Sequence, residues 1–397
     1  MSKSLSVATL LFIAGPALGQ HGGPSGDAEP LDWMNLEKGV LSGYVRLTDP
    51  AEYLKAGEAY FNGDGTWVIF QATPHPADGA SPSAHYEMFV APVVRDDSGR
   101  MTGLGEAIQV SKTGSANTCG WWHPTEPGVI LFGSTIEPPV ESDQPGYQRG
   151  SGRYQWSFPV EMDMVTTRVT PDGAAPAERM FSRPGYDAEG SWSPDGRHVL
   201  YANVDLEKSL ALGRPDADLW VYDTKTGLHA LIVEAGGYDG GPFFSPDGDW
   251  ITYRSDRRGD NMLQLFIAEL SRDETGRIVG IKREVALTDN QHVNWAPYWH
   301  PSGRYLIYAT SEVSHRNYEV FAIPALDENG EPVTGRKPIR ITHADGFDGL
   351  PVFSTDGSVM MWTSQRIPQG VEGETPSSQV WVASFNEAMN DAYSRGE

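Results

Sequence analysis

A single cysteine, Cys119, stands in a chain of 397 residues. No internal disulfide can brace such a chain, so its stability must come from packed cores. Basic residues are scarce as well: 30 Lys and Arg face 53 Asp and Glu, a formal net charge of −23. Nucleic acid and anionic lipid are bound through positive surfaces, so neither is an expected partner. No apolar run is long enough to cross a bilayer. The N-terminal one, Leu5 to Ala14, follows Lys3, breaks at Gly15-Pro16 and leads to small residues at Ala17 and Gly19 before Gln20. This pattern predicts a signal peptide over residues 1–19 and a periplasmic or secreted protein that begins at Gln20. No cysteine follows the apolar segment, so a lipid-anchored form is not expected. Catalytic signatures are missing too, with no G-x-S-x-G elbow, no H-E-x-x-H helix and no G-x-x-x-x-G-K-[ST] loop.

What is present is a repeat. Six aromatics, Phe61, Trp122, Trp192, Phe244, Trp299 and Phe353, each precede a glycine-containing turn and then a short apolar run, as in SWSPDGRHVLYA, FFSPDGDWITYR and YWHPSGRYLIYA. Successive markers lie 61, 70, 52, 55 and 54 positions apart. A period of this length, filled with alternating strands and turns, predicts an all-β, six-bladed β-propeller of four-stranded antiparallel blades. The marker closes an inner strand a, and the Pro-Asp-Gly type turn leads to strand b. Strands c and d follow, and d ends in a recurring apolar-Thr or apolar-Ser pair, as at Ser111, Thr288 and Thr342. Repeat six lacks a fourth strand, and Gly43 to Thr48 carries the d pattern ahead of repeat one. That segment is expected to close the ring on strand c of the last blade and so cover an open edge. The organisation read from the sequence is a signal peptide over 1–19, an extension over 20–42, the propeller over 43–385 and a tail over 386–397.

These repeats resemble those of the TolB-like β-propeller family, most clearly in GYDAEGSWSPDGRHVLY, GYDGGPFFSPDGDWITYRSDRRG and NWAPYWHPSGRYLIYAT. The resemblance covers Gly43 to Phe385. It implies the propeller but not the extra α/β domain that TolB carries ahead of it. It also implies a binding role, because the TolB propeller docks a peptidoglycan-associated lipoprotein.

One further column is regular. Five positions before each marker stand Ala56, Asn117, Asp187, Asp239, Asn294 and Asp348. Asp and Asn favour local Asx turns where the chain swings from strand d to strand a. Equally, a ring of such oxygens at one end of the channel would suit a hard cation such as calcium, held by Asp187, Asp239, Asn294 and Asp348. Glu58 and Glu189, two residues further on, either add charge there or face a blade core. With Asn117 these residues form the expected ligand-binding set at the channel mouth. Strand direction places the long b–c connections of four repeats on the same face, which makes it the expected binding face.

Two functions fit this pattern. One is a non-catalytic, monomeric propeller that binds a protein, peptide or envelope component on that face. The other is a calcium-dependent hydrolase of lactonase type, in which Glu189 or one of the Asp residues would act as base. As the sequence given ends soon after the last blade, the serine hydrolase domain that accompanies some propellers is not expected. His123 and His300, directly after inner-strand tryptophans, are expected to cap turns rather than to bind metal.

Overall fold

Each marker aromatic is followed by a turn that only a left-handed residue can close. Gly196 in the Ser-Pro-Asp-Gly turn has φ 71°, and its N–H donates to Ser193 O at 2.8 Å. Gly65, Gly128, Gly248, Gly303 and Gly357 occupy the same place in the other repeats with φ between 67° and 77°. The computed structural model describes residues 12–14, 31–140, 146–147, 154–156 and 159–395. Most of the segment read as a signal peptide, and residues 20 to 30, lie outside the described residues.

Among the described residues seven antiparallel sheets form: six are the blades, set around one axis, and the seventh is a small sheet of Phe12–Ala14, Tyr154–Trp156 and Gly146–Tyr147. The a strands of the blades are Tyr53–Phe61, Asn117–Trp122, Tyr186–Trp192, Asp239–Phe244, Asn294–Trp299 and Asp348–Phe353, numbered here as blades one to six. In blade three the order is Tyr186–Trp192, His198–Val204, Ala217–Asp223 and Leu228–Val233, with each strand paired to the next. The outer strands of blades one and two are split, into Met101–Leu104 with Ile108–Gln109 and Gly173–Ala174 with Glu178–Arg179. Four marker tryptophans and phenylalanines, Trp122, Trp192, Trp299 and Phe353, are at most 6% exposed. They wedge between neighbouring blades, where burial of one such side chain contributes about 1.5–3 kcal/mol.

The ring closes as expected, two residues early. Leu41–Arg46 pairs antiparallel with Gln379–Phe385, from Leu41 opposite Phe385 to Arg46 opposite Trp381. The Thr48 hydroxyl then accepts from Val380 N at 2.9 Å and donates to Gln379 Oε1 at 2.6 Å. Ahead of this strand a short helix, Trp33–Glu37, is capped by Asp32, whose side chain accepts from Asn35 N. After Phe385 the chain forms the helix Asn390–Arg395. Its Tyr393 is fully buried, 5.6 Å from the Tyr305 ring and 5.9 Å from that of Phe385.

The two histidines do cap turns. His123 Nδ1 accepts from Glu126 N at 2.9 Å, and His300 Nδ1 accepts from Ser302 N at 3.1 Å. Burial pulls the His300 imidazole down to about 4, which keeps it neutral and able to accept.

Candidate ligand-binding funnel at the channel mouth

The Asx column is the inner end of a polar row that crosses blades two to six. Directly opposite Asn117, Asp187, Asp239, Asn294 and Asp348 on strand b stand Ser134, Asn203, Ser255, Thr310 and Ser364. Opposite those on strand c stand Asp163, Asp218, Gln264, Glu319 and Gln379. Blade one begins the row with Ala56 and Ala72, two alanines, and reaches it only at Glu87. In blades one, four and five the row ends in a Thr or Ser just past strand d. Ser111, Thr288 and Thr342 accept from the backbone N–H groups of Met88, Leu265 and Val320. The recurring d-strand hydroxyl thus satisfies a strand c donor at the point where the chain leaves for the next blade.

Because of this row, the Asx side chains are engaged within their own blades, although Asp239 Oδ2 has no hydrogen-bond partner. Ser134 Oγ donates to Asn117 Oδ1 at 2.7 Å, Asn203 Nδ2 to Asp187 Oδ1 at 2.8 Å and Thr310 Oγ1 to Asn294 Oδ1 at 2.9 Å. Asp239 accepts from Arg257 at 3.3 Å. Asp348 accepts from Trp362 Nε1 at 3.0 Å and from Arg366 at 2.7 Å. All five residues are at most 4% exposed. Among the described residues, no three His, Cys, Asp or Glu side chains are grouped to hold a metal ion.

Burial raises the carboxyls of Asp187 and Asp239 to about 7. Unfolded, they titrate in the ordinary carboxylate range. The folded state therefore holds the proton more tightly, and stability is lost as pH rises from about 4 to about 7. Asp239→Asn cannot ionise, and Arg257 retains Glu284 as an ion-pair partner at 2.6 Å. The variant is expected to gain on the order of a few kcal/mol at pH 8. That should appear as a rise of several degrees in melting temperature and a flatter slope of stability between pH 5 and 8. Parallel slopes for variant and wild type would show that Asp239 does not carry this term.

Two residues beyond the column, every inner strand bulges. The a–b register shifts there in all six blades. The residue at the bulge is left-handed each time: Glu58, Cys119, Glu189, Gly241, Ala296 and Leu350, with φ between 44° and 57°. A non-glycine in this conformation costs about 1–2 kcal/mol, so five strained residues in one ring are an architectural feature. The bulge turns these positions toward the axis. Cys119 Sγ donates to Glu58 Oε1 at 2.8 Å across blades one and two. Glu189 reaches blade four, where it accepts from Tyr238 Oη at 2.6 and 2.7 Å, from Gly241 N at 2.5 Å and from Arg254 at 3.3 Å.

Gly241 has a specific reason to lack a side chain. A Cβ there would lie 1.8 Å from Arg254 Nη1. The guanidinium, coming from strand b, fills the place that the other blades give to their bulge residue. It also donates to Tyr238 Oη at 2.8 Å and lies 5.8 Å from the Trp295 ring.

Below this ring the channel is sealed. Tyr60, Trp121, Phe243 and Tyr298, each one residue before its marker, pack across the axis with centroids 4.7 to 6.5 Å apart. The bulge ring thus has an aromatic floor, and the two together outline a funnel around the axis. It opens on the face that carries the b–c loops.

The funnel wall is electrostatically uneven. Glu58, Cys119, Glu189 and Arg254 are polar, while Ala296 and Leu350 are not. Burial raises the Glu58 carboxyl, with the Cys119 hydrogen bond opposing and Glu189 reinforcing. Burial, together with Glu58 and Glu189, pushes the Cys119 thiol well above its ordinary range, so the thiol is a proton donor here and not a nucleophile. Burial works against the charge on Arg254, but Tyr238, Glu189, Cys119 and Glu58 outweigh it and hold the guanidinium charged.

Of the residues expected at the mouth, Glu58 and Glu189 line the funnel. Asn117, Asp187, Asp239, Asn294 and Asp348 sit within their blades. Cys119, Gly241 and Arg254 were not anticipated, although the first two share the two-residue offset from the Asx column that marks Glu58 and Glu189.

No family profile matches the sequence. Over 119 residues, 30% of this chain and 34% of its relative, it is 26% identical to an uncharacterised protein of Agrobacterium fabrum. Over 114 residues, 27% of this chain and 16% of the relative, it is 31% identical to dipeptidyl-peptidase 5 of Porphyromonas gingivalis. The matched stretches therefore span about a third or less of those proteins. Among solved structures, TolB from Acinetobacter baumannii aligns over 82% of this chain and 65% of its own, with a TM-score of 0.50 at 16% identity. A putative TolB from Agrobacterium tumefaciens aligns over 83% of this chain and 90% of its own, with a TM-score of 0.48 at 15% identity. By its fold, this chain is a TolB-like six-bladed β-propeller.

Proposed function

We propose that this propeller is a non-catalytic binding module that acts outside the cytoplasm and docks a protein, peptide or cell-envelope component on its b–c face. The observation that carries this reading is the funnel, which opens among long loops bearing exposed apolar side chains. Leu210 and Leu212 on the helix Leu206–Leu212, Val313 in the blade five hairpin and Val371 in the blade six loop are each 41 to 53% exposed. Apolar residues around a concave polar centre are the arrangement of a docking surface. Export follows from the signal-peptide reading of residues 1–19. The −23 net charge favours a partner with basic character.

Capture from envelope extract, with calcium or with chelator, tests the reading when run on three proteins side by side. Wild type and Leu228→Asp, which changes a 52% exposed residue of the outer strand Leu228–Val233, are expected to capture the same partner. The double variant Leu210→Asp, Leu212→Asp is expected to lose it. A partner held equally by all three would move the docking site off the b–c face. Retention that requires calcium would assign a cation to Asp187, Asp239, Asn294 and Asp348, whereas retention in chelator would leave binding to the loops and the funnel.

A further inference from the structure

Glu189 and Glu58 occupy equivalent positions in the funnel, but their surroundings differ. Glu189 is neutralised by Arg254 at 3.3 Å and accepts from a phenol and a backbone N–H. Glu58 accepts from neutral donors only, the Cys119 thiol at 2.8 Å and Tyr60 Oη at 3.4 Å. Among the described residues it forms no ion pair. Its carboxylate therefore has no ion-pair partner of its own and feels Arg254, which is committed to Glu189, only at a distance; such a group draws a further cation.

A second, independent observation lies beside it. Gln71 on strand b of blade one stands opposite Gly57, in the register position that Arg254 holds opposite Gly240 in blade four. Register fixes the face of the strand on which a side chain emerges. Gln71 thus emerges on the face from which Arg254 enters the funnel. Only 8% of Gln71 is exposed, and its Oε1 has no hydrogen-bond partner. A buried amide oxygen without a donor is unfavourable by about 1–3 kcal/mol, and a donor arriving in the funnel would remove that cost.

We propose that the funnel is a lysine pocket: a partner chain docked on the b–c face inserts one Lys side chain, whose ammonium donates to Glu58 and Gln71 Oε1. This inference rests on the docking reading above and names the group that enters. The wall suits a lysine because it is amphipathic. Ala296 and Leu350 offer an apolar surface to the methylene stem, and Glu58 and Gln71 offer two acceptors to a compact three-donor head. A guanidinium is a poorer fit, because Arg254 already occupies the planar site on Glu189.

The test is selection from a display library of random heptapeptides flanked at both ends, so that no chain amine is offered. The library is panned on wild type, on Glu58→Gln and on Gln71→Leu. Wild type is expected to enrich peptides with Lys at one fixed position, and both variants are expected to lose that enrichment while keeping wild-type melting curves. In solution, changing the fixed Lys to norleucine or acetyl-lysine is expected to weaken a selected peptide at least tenfold on wild type and not at all on Glu58→Gln. Binders without a Lys preference, or a preference that survives Glu58→Gln, would overturn the pocket and leave the docking reading in place. If no peptide binds wild type and the envelope capture also fails, the docking reading falls with it.

Discussion

A protein lacking Leu41 to Thr48 is expected to aggregate instead of melting cooperatively. The deletion strips the outer ladder from Gln379–Phe385, a strand in which Val380, Trp381, Val382 and Ala383 are at most 3% exposed. It removes the buried side chains of Leu41 and Leu47, about 1.5–3 kcal/mol each. It also removes the Thr48 hydroxyl that serves Val380 N and Gln379, about 1 kcal/mol per hydrogen bond. The sum approaches the entire stability of an ordinary domain, about 5–15 kcal/mol. The uncovered strand is β-branched and aromatic with both faces packed, which is the composition that recruits other chains at a free edge. Size-exclusion chromatography and thermal melts of the deleted protein check this, and a synthetic peptide spanning residues 39 to 49 added in trans should restore solubility. A deleted protein that stays monomeric with an unchanged melt would refute closure as a source of stability.

The second large effect is expected at Glu37. Its carboxylate is fully buried and receives both terminal nitrogens of Arg366, at 3.1 and 3.2 Å, together with Tyr44 Oη at 2.8 Å and His343 N at 2.7 Å. Arg366 in turn donates to Asp348 at 2.7 Å, and its guanidinium lies over the rings of Trp33 and Trp362 at 4.4 and 4.8 Å. Two carboxylates and one guanidinium thus share a dry site that staples the helix Trp33–Glu37 to blade six. Glu37→Ala leaves the guanidinium with one partner and opens a cavity, and breaking a buried pair from one side costs about 3–5 kcal/mol. The denaturation midpoint should fall accordingly, and proteolysis should begin within residues 31 to 40. Removing all three charges together, Glu37→Leu with Arg366→Met and Asp348→Asn, should recover much of the loss, because no buried charge is then left without its partner. If Glu37→Ala lies within about 1 kcal/mol of wild type, the staple contributes little.

Local chemistry made most of the fold legible. The marker aromatic, the left-handed glycine and the period-two strands are each encoded within about fifteen residues, so the repeat could be counted and its ring closure inferred. The Asx column was equally visible, but its meaning was not. Asp187 and Asn203 lie on different strands, and only the register shows that they face each other. The bulge was hidden for another reason: Glu58, Cys119, Glu189, Gly241, Ala296 and Leu350 share a backbone angle and no side-chain property. Arg254 in the funnel and Arg366 beneath Glu37 are placed by tertiary packing. Arg366 and Glu37 are 329 residues apart, and no periodicity links them.

The left-handed ring has a bearing on how such a protein can change. Its six positions lie about 60° apart around one axis, one to a blade. Each is held by its own bulge, whose geometry is set by backbone register instead of by the residue that sits there. A substitution at Ala296 or Leu350 therefore alters one sector of the funnel without disturbing the hydrogen-bonded row behind it, much as a single pin is changed in a lock. The strain of the left-handed angle is already present with alanine or leucine in place, so another ordinary side chain adds little backbone cost. Gly241 is the exception. Any side chain there would displace Arg254 and take from Glu189 its ion-pair partner. Recognition can diverge most readily at Ala296 and Leu350, while the sectors of Glu189 and Gly241 are fixed by the arginine that leans across them.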